Sequence, residues 1–396
     1  KQSEARRGAC AVYLPVEHND ILEFLAIGTD GNPIQNLQYG VTVTDAWMEE
    51  MKAGDKSKRK IWAKIIQNRS EIGFPYIMFK DNSNNNSPYK ELGMDITASN
   101  LCSEIQLPTD SYNSFVCCLG SINVLHWDEI KETDAIQTYV YFLNAVMDEF
   151  IVKSETMPGM KRANNFAKEH RAIGLGVLGY HSLFQSKLIE FDSIQAKGLN
   201  AQIFSTIKDR SEIASRKLHK EHGYTSLRNG YANTTLIAIA PTKSSSFIHG
   251  AVSMGIEPIK SNYFIKDLAK SKTVYKNPFL IDELEKYGMN TDKVWKSILK
   301  KDGSVQHLGF PTQAVFKSFV EISPKEIVLQ AAQRQKYIDQ SQSLNLMIDP
   351  SVSAKDINKL YMYAWEEGVK TLYYQFSKSS AQDFARNILE CNSCEG

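Results

Sequence analysis

The sequence predicts an α/β protein, and three observations carry that expectation. Helical periods alternate with short apolar runs of strand length, the pattern that mixed helix–sheet architectures produce. The 396 residues are 42% hydrophobic and 23% charged, close to the globular average, so a large core is available. The six cysteines are too sparse and scattered for a disulfide scaffold. A chain of this length makes one large or two ordinary domains. Its formal net charge of +1 gives no electrostatic case for nucleic acid as a partner. No apolar run reaches the length of a bilayer span, and no apolar leader precedes a small-residue cleavage site, so a soluble, cytoplasmic protein is expected. The opening Lys1-Gln2-Ser3-Glu4-Ala5-Arg6-Arg7-Gly8 reads as the middle of a loop and points to a fragment.

Taken in order, residues 9–14 alternate toward a strand, and Asp45–Ala53 is a helix that Gly54 stops. Residues 75–79 form a second strand candidate and residues 82–87 a polar loop. Residues 99–124 carry little helix signal. Residues 135–150 return to a helical period, as does Ile194–His222, with Ile203, Ile207, Ile213 and Leu218 on one face. Ser323-Pro324-Lys325-Glu326 combines an N-cap, a first-turn proline and a capping-box acid. Ser353 opens another helix, which Gly368 ends, and residues 369–374 make a last strand. Residues 377–396 read as a tail behind one large unit, 1–376.

Chemistry concentrates in a few motifs. In an extended Asn100-Leu101-Cys102-Ser103-Glu104, side chains two apart share a side, so amide, thiol and carboxylate converge. An amide can hold a hydroxyl, a carboxylate can take its proton, and a thiol between them can attack or form a radical. The plain alternative is a buried, inert cysteine. Residues 174–179 match GxGxxG, a dinucleotide fingerprint that requires a strand before it and a helix after it. The preceding Lys168-Glu169-His170-Arg171 is a poor buried strand, and close helix packing explains the glycines more economically. An apolar run, 234–240, leads into Pro241-Thr242-Lys243-Ser244-Ser245-Ser246, a hydroxyl-rich turn able to present donors to an anion or simply to cap a helix. Tyr373-Tyr374 is either a strand with one ring inside and one outside or a pair that relays a radical. Cys391-Asn392-Ser393-Cys394 suits thiol–disulfide exchange better than half of a metal site, since no second CxxC or HxxxH completes one.

Together these residues resemble the large, catalytic subunit of class I ribonucleotide reductase. The matching pieces are Ser99 to Ile105, Val116-Cys117 with Ser121-Ile122-Asn123, Arg171 with the 173–179 run, the Pro241 turn with Gly255-Ile256-Glu257-Pro258, Ile338-Asp339-Gln340-Ser341-Gln342-Ser343-Leu344-Asn345, Lys370-Thr371-Leu372-Tyr373-Tyr374 and the terminal CxxC. They stand in the family's order across nearly the whole chain. The resemblance implies a ten-stranded α/β barrel of two antiparallel five-stranded halves, with Cys102 on a central finger loop and the N-terminal part of the barrel missing. It implies that Cys102 becomes a thiyl radical that removes the 3′ hydrogen of a ribonucleoside diphosphate. Glu104 is then the base at the 3′ hydroxyl, Asn100 a partner of the sugar hydroxyls, and Cys117 one of two reducing thiols. Tyr373 and Tyr374 carry the radical inward from a metal-containing small subunit, since the chain itself binds no cofactor or metal. Cys391 and Cys394 re-reduce the active site at the expense of thioredoxin or glutaredoxin. Thr242, Lys243, Ser244, Ser245 and Ser246 hold the substrate phosphates. Arg6, Arg7 and Gly8 resemble the loop that couples nucleoside triphosphate effectors to substrate choice.

Three departures qualify the match. Cys118 follows Cys117 where the family has another polar residue, and Lys243 stands where small or acidic residues are commoner. The N-terminal part that carries the second reducing thiol is absent, and Cys10 is read as a core residue rather than its replacement. A truncated chain, or a natural split of the kind plausible in phage with a separate N-terminal fragment, is therefore expected, the assembled large subunit forming a homo-oligomer in the (host) cytoplasm. The rival readings are an NAD-dependent dehydrogenase using residues 174–179 and a non-catalytic assembly fragment.

Overall fold

The computed structural model describes residues 8–268 and 271–377. Arg6, Arg7, Cys391 and Cys394 lie outside the described residues, and Gly8 leads into the first strand.

Strands β1 (Ala11–Pro15), β2 (Gln38–Val43) and β3 (Tyr76–Phe79) pair parallel in that order. β4 (Leu119–Asn123) pairs parallel with β5 (Gly174–Leu178), Leu119 opposite Gly174. β6 (Tyr263–Leu268) and β7 (Ser271–Lys276) form an antiparallel hairpin. β8 (Leu346–Met347) runs parallel to β10 (Gln375–Phe376), while β9 (Thr371–Leu372) is antiparallel to β3. Two further extended runs complete the sheet. Leu175 N donates to Leu236 O at 2.7 Å, and Ile239 N donates to Ser341 O at 3.0 Å, so residues 236–240 bridge β5 to residues 340–343, both parallel. Tyr373 N donates to Leu344 O at 2.9 Å, joining that run to the last strands. Three mutually parallel runs (β1, β2, β3) thus meet five others antiparallel at the β3–β9 pair. The two opposed sets match the two halves expected of the barrel, but among the described residues the first set has three strands where five were expected. Among the described residues no pairing joins β1 to β4, so the sheet stays open there.

The helices Asp45–Ala53 and Ile194–His222 have the bounds expected. Thr44 and Ser193 accept from Trp47 N and Ala196 N at the starts, and Gly54 (φ 119°) and Gly223 (φ 71°) supply the left-handed stops. Residues 135–150 extend to the helix Ala135–Ser154. No helix among the described residues is long and apolar enough to cross a membrane.

Several expectations are corrected. The polar run 82–87 is largely the helix Lys80–Asn85, because Asn84 turns its amide onto Lys80 O and Ile96 O and Asp81 accepts from Asp45 N. Ile213 is exposed, off the buried face of its helix. Ser323 makes no side-chain cap, and Glu326 pairs with Lys197 at 2.8 Å instead of closing a capping box. The strand expected over residues 369–374 shrinks to β9, because the chain changes partner from β3 to β8 within a few residues. Cys10 is exposed rather than core.

The main core fills the space between the sheet and its helices. A second cluster, with Met78, Ile96, Ile105, Leu107, Phe166 and Ala238, lies beneath the Cys102 loop. A third, built by Leu280, Leu284, Trp295, Ile298, Val305 and Phe316, belongs to a separate excursion of the chain. That excursion is fastened at its base, where Phe319 N donates to Ile259 O at 2.8 Å and Asn262 Nδ2 to Phe316 O at 2.8 Å.

Candidate active site

Burial of Ile105 and Leu107 fixes one end of the 100–107 segment. The segment is a closed turn rather than the extended run expected. Asn100 N donates to Ile105 O (3.1 Å), Ile105 N to Asn100 Oδ1 (3.0 Å) and Ser103 N to Asn100 O (3.2 Å), with Ser103 at φ 67°. Non-glycine residues reach this left-handed region only when surroundings over-determine it. Here the surroundings are the neighbouring strands. Ser341 N donates to Glu104 O at 2.9 Å, Ser343 Oγ to Cys102 O at 2.6 Å, Thr371 Oγ1 to Ser103 O at 3.3 Å, and Gln106 N to Gln340 Oε1 at 3.2 Å.

The turn brings the expected groups together by a route that alternation does not describe. Cys102, half-buried, and Glu104, buried, line a cleft of about 410 Å³ with Ser121, Tyr139, Thr242, Ser245 and His249. Asn100 Nδ2 lies 3.8 Å from Cys117 Sγ. Surrounding protein, and then the Glu104 charge, push the Cys117 thiol up to about 12, with the Asn100 bond offsetting part. Cys118 turns the other way and donates to Leu143 O at 3.6 Å; burial lifts it to about 11. Of the vicinal pair, Cys117 is thus the thiol on the Asn100 side. Tyr13, bonded to Ser99 Oγ at 2.5 Å, is held above the usual phenol range chiefly by burial, with Glu104 and Cys102 adding to it.

Within the Pro241 turn, Thr242 sits at φ 51° and its Oγ1 accepts from Gly255 N at 2.7 Å, which leaves the hydroxyl hydrogen to donate. Thr242 and Ser245 face the Cys102 cleft, whereas Ser246 is buried with its hydroxyl on Lys243 O. Ser244 is half-buried and lines neither cleft. Lys243 lines a smaller neighbouring cleft with Glu257, Lys260, Tyr373 and Tyr374. It does not share the cleft of Thr242 and Ser245.

Both tyrosines of the pair are buried, so the arrangement with one ring outside does not occur. Their ring centroids are 4.3 Å apart, and Tyr76 stands 4.7 Å from Tyr373 and 5.2 Å from Tyr374. Arg69 Nη1 donates to Tyr373 O at 2.9 Å, and Tyr374 N donates to Asn345 Oδ1 at 3.1 Å. Asn345 also bonds Glu257, which ties the Gly255–Pro258 motif to the 339–345 motif. The latter is anchored at its start, where Asp339 accepts from Leu236 N (2.7 Å) and Ile237 N (2.9 Å) and its carbonyl accepts from Lys370 Nζ (2.8 Å). Burial pushes Lys370 down to about 7 against the pull of Asp339.

Residues 174–179 do not make a dinucleotide loop. Their first five residues are strand β5 itself, and the glycines serve close strand approach rather than helix packing. A Cβ on Gly174 would meet Ala238 Cβ at 2.9 Å, and one on Gly176 would meet Ala238 O at 2.7 Å. Sequence reasoning missed the clamping roles of Ser343 and Thr371 and the presence of Tyr139 and His249 in the cleft. The alternating hydroxyls at 341 and 343 were the available signal.

A cysteine and a glutamate on a clamped loop, against two opposed sets of parallel strands, match the barrel of a ribonucleotide reductase. The ribonucleotide reductase barrel domain matches residues 1–59, 55–227 and 225–375, and the chain belongs to that family. Among solved structures, the Actinobacillus ureae class Id ribonucleotide reductase alpha subunit superimposes with a TM-score of 0.87 at 49% identity, covering 96% of this chain and 72% of that one. The putative ribonucleoside-diphosphate reductase large subunit of Frog virus 3 is 33% identical over 100% of this chain and 76% of its own length. The ribonucleoside-diphosphate reductase large subunit of Invertebrate iridescent virus 3 is 32% identical over 100% and 78%.

Proposed function

We propose that this chain forms the C-terminal part of the barrel of a ribonucleoside-diphosphate reductase and reduces the 2′ position of its substrate by radical chemistry at Cys102. The observation that carries the reading is the shared cleft of Cys102, Glu104, Thr242 and Ser245, with Cys117 on the far side of Asn100. A metal-containing small subunit supplies the oxidising equivalent that makes the Cys102 thiyl. Cys102 then takes the hydrogen atom from C3′ while Glu104 takes the proton of the 3′ hydroxyl. The 2′ hydroxyl leaves as water, and two thiols give up two electrons and two protons to become a disulfide. Cys117, kept protonated by its surroundings, is one of them.

Among the described residues Cys118 faces away and Cys10 lies on an exposed strand end, so the second thiol is assigned to protein outside this sequence. Either a longer form of the chain or a separate N-terminal fragment fits that role. Thr242 and Ser245 donate to the substrate phosphates. Tyr373 and Tyr374, buried and in ring contact, pass the electron and proton inward. Cys391 and Cys394 return electrons from thioredoxin or glutaredoxin, and Arg6 to Gly8 link triphosphate effectors to substrate choice. A barrel interior and a side-chain relay suit a radical that water would quench.

The test is turnover of the reconstituted complex. Cys102→Ala abolishes product formation with an unchanged melting curve, and Tyr374→Phe blocks turnover while the small subunit keeps its radical signal. Appreciable reduction by the Cys102→Ala protein defeats the assignment, and normal cycling by Tyr374→Phe removes the relay.

A further inference from the structure

Ser343 touches both chemical groups of the Cys102 loop with one hydroxyl. Its Oγ lies 2.6 Å from Cys102 O and 3.1 Å from Glu104 Oε2. A serine hydroxyl carries one hydrogen and two lone pairs, so it cannot donate to both acceptors at once. Both oxygens lie within reach of the single hydroxyl hydrogen, so the stronger acceptor of the two receives it. Ser343 itself cannot drift. Its N donates to Ile239 O at 2.9 Å, and the adjoining Gln342 is held by Arg334 Nε (2.6 Å) and by its own bond to Ala331 O (3.0 Å).

We propose that Ser343 is a positioning residue through which the charge on Glu104 controls how firmly the backbone at Cys102 is held. The inference rests on the roles given above to Cys102 and Glu104. An ionised carboxylate is the stronger acceptor and draws the hydroxyl hydrogen from the Cys102 carbonyl. Once Glu104 has taken the proton of the 3′ hydroxyl it accepts more weakly, and the hydrogen returns to Cys102 O. The loop is then tightest at the stage when Cys102, now carrying the hydrogen from C3′, must hold it in place to give it back. No bond to Ser343 is made or broken in this exchange; only its hydrogen bond changes partner. Among the described residues, the titratable groups facing Glu104 include Cys102 on its own loop, Tyr13 from β1, Cys117 ahead of β4, and Tyr139 and His249 across the cleft.

The experiment compares the reconstituted complex carrying wild-type chain, Ser343→Ala or Ser343→Thr, with Glu104→Gln and Cys102→Ala as controls. Ser343→Ala lowers kcat about tenfold with KM little changed, the loss expected for one hydrogen bond to a charged group. It also moves the acid limb of the kcat–pH profile upward by about one pH unit, because the ionised carboxylate has lost a donor. Ser343→Thr, which keeps the hydroxyl, restores both. A folded Ser343→Ala protein with an unmoved limb and normal kcat overturns the proposal. So does a loss that appears in KM and melting temperature alone, or one that Ser343→Thr fails to restore when that variant melts normally. If Glu104→Gln or Cys102→Ala stays active, the underlying reading fails; if both are dead while the Ser343→Ala limb stays put, only the Ser343 role fails.

Discussion

In the purified chain, alkylation of Cys117 by iodoacetamide at pH 7.5 is expected to run about 50-fold slower than that of a free thiol. Cys117 is exposed as a residue, but the protein crowded around its sulfur and the Glu104 carboxylate push this thiol from an ordinary 9.0 to about 12. Each pH unit is a factor of ten, so about a thousandfold less thiolate is present. A more basic thiolate is also a better nucleophile, by about 0.4–0.5 log unit per unit of basicity, which recovers about 20-fold to 30-fold. The loss of thiolate wins, and the product of the two effects is the figure above. Glu104→Gln removes the second-largest cause and accelerates labelling, whereas Asn100→Ala removes the opposing bond and slows it. A quenched time course read by peptide fragmentation separates Cys117 from the adjacent Cys118. Labelling of Cys117 as fast as glutathione refutes the reasoning, because it means that the thiol is neither desolvated nor beside a negative charge.

Two more outcomes follow from buried groups away from the thiols. Gly176→Ala drives a methyl to 2.7 Å from Ala238 O and 3.1 Å from Ser121 Oγ. It should destabilise the chain by about 1–3 kcal/mol in urea unfolding, and an unchanged midpoint counts against the close approach of β5 and residues 236–240. His170, stacked on Phe166 and bonded to Tyr89, and His181, which accepts from Ile259 N, are pushed down by burial to about 4 and about 3. The unfolded chain therefore binds their protons more readily than the folded one. Their contribution is fully present above the unfolded value near 6.5 and is lost as pH falls toward the folded values, by about 2 kcal/mol per histidine between pH 7 and pH 5. Urea unfolding across that range tests it, and a flat stability would show that the two rings are not held neutral.

Local signals were the readable ones. Thr44, Gly54, Ser193 and Gly223 set helix ends by bonds that span a few residues, and the sequence displays them directly. The candidate catalytic residues were legible as a set, since short motifs in a fixed order resist chance. What remained hidden depends on partners distant in sequence. The run 236–240 and the run 340–343 hold their place through backbone bonds to segments far away in the chain, with no turn or repeat to announce them. Asn82, read as loop, sits in a helix because its amide reaches Trp365 O and Val369 O, nearly three hundred positions away in the chain. The turn at Ser103 is imposed by Ser343 and Thr371, which no pattern within residues 100–104 encodes.

The excursion that carries Trp295 leaves and rejoins the sheet at Ile259, Asn262 and Phe319, is tied to the segment after β5 by Asn277 on Gln185 and Lys317 on Asp192, and keeps an oily centre of its own. A segment held at a few points and packed around its own centre can be shortened or enlarged on its far side with little pull on the strands around the Cys102 cleft. Evolution is thus free to rewrite this lobe while the chemistry beneath stays fixed. An engineer seeking a place to graft a reporter or an affinity handle has the same freedom there.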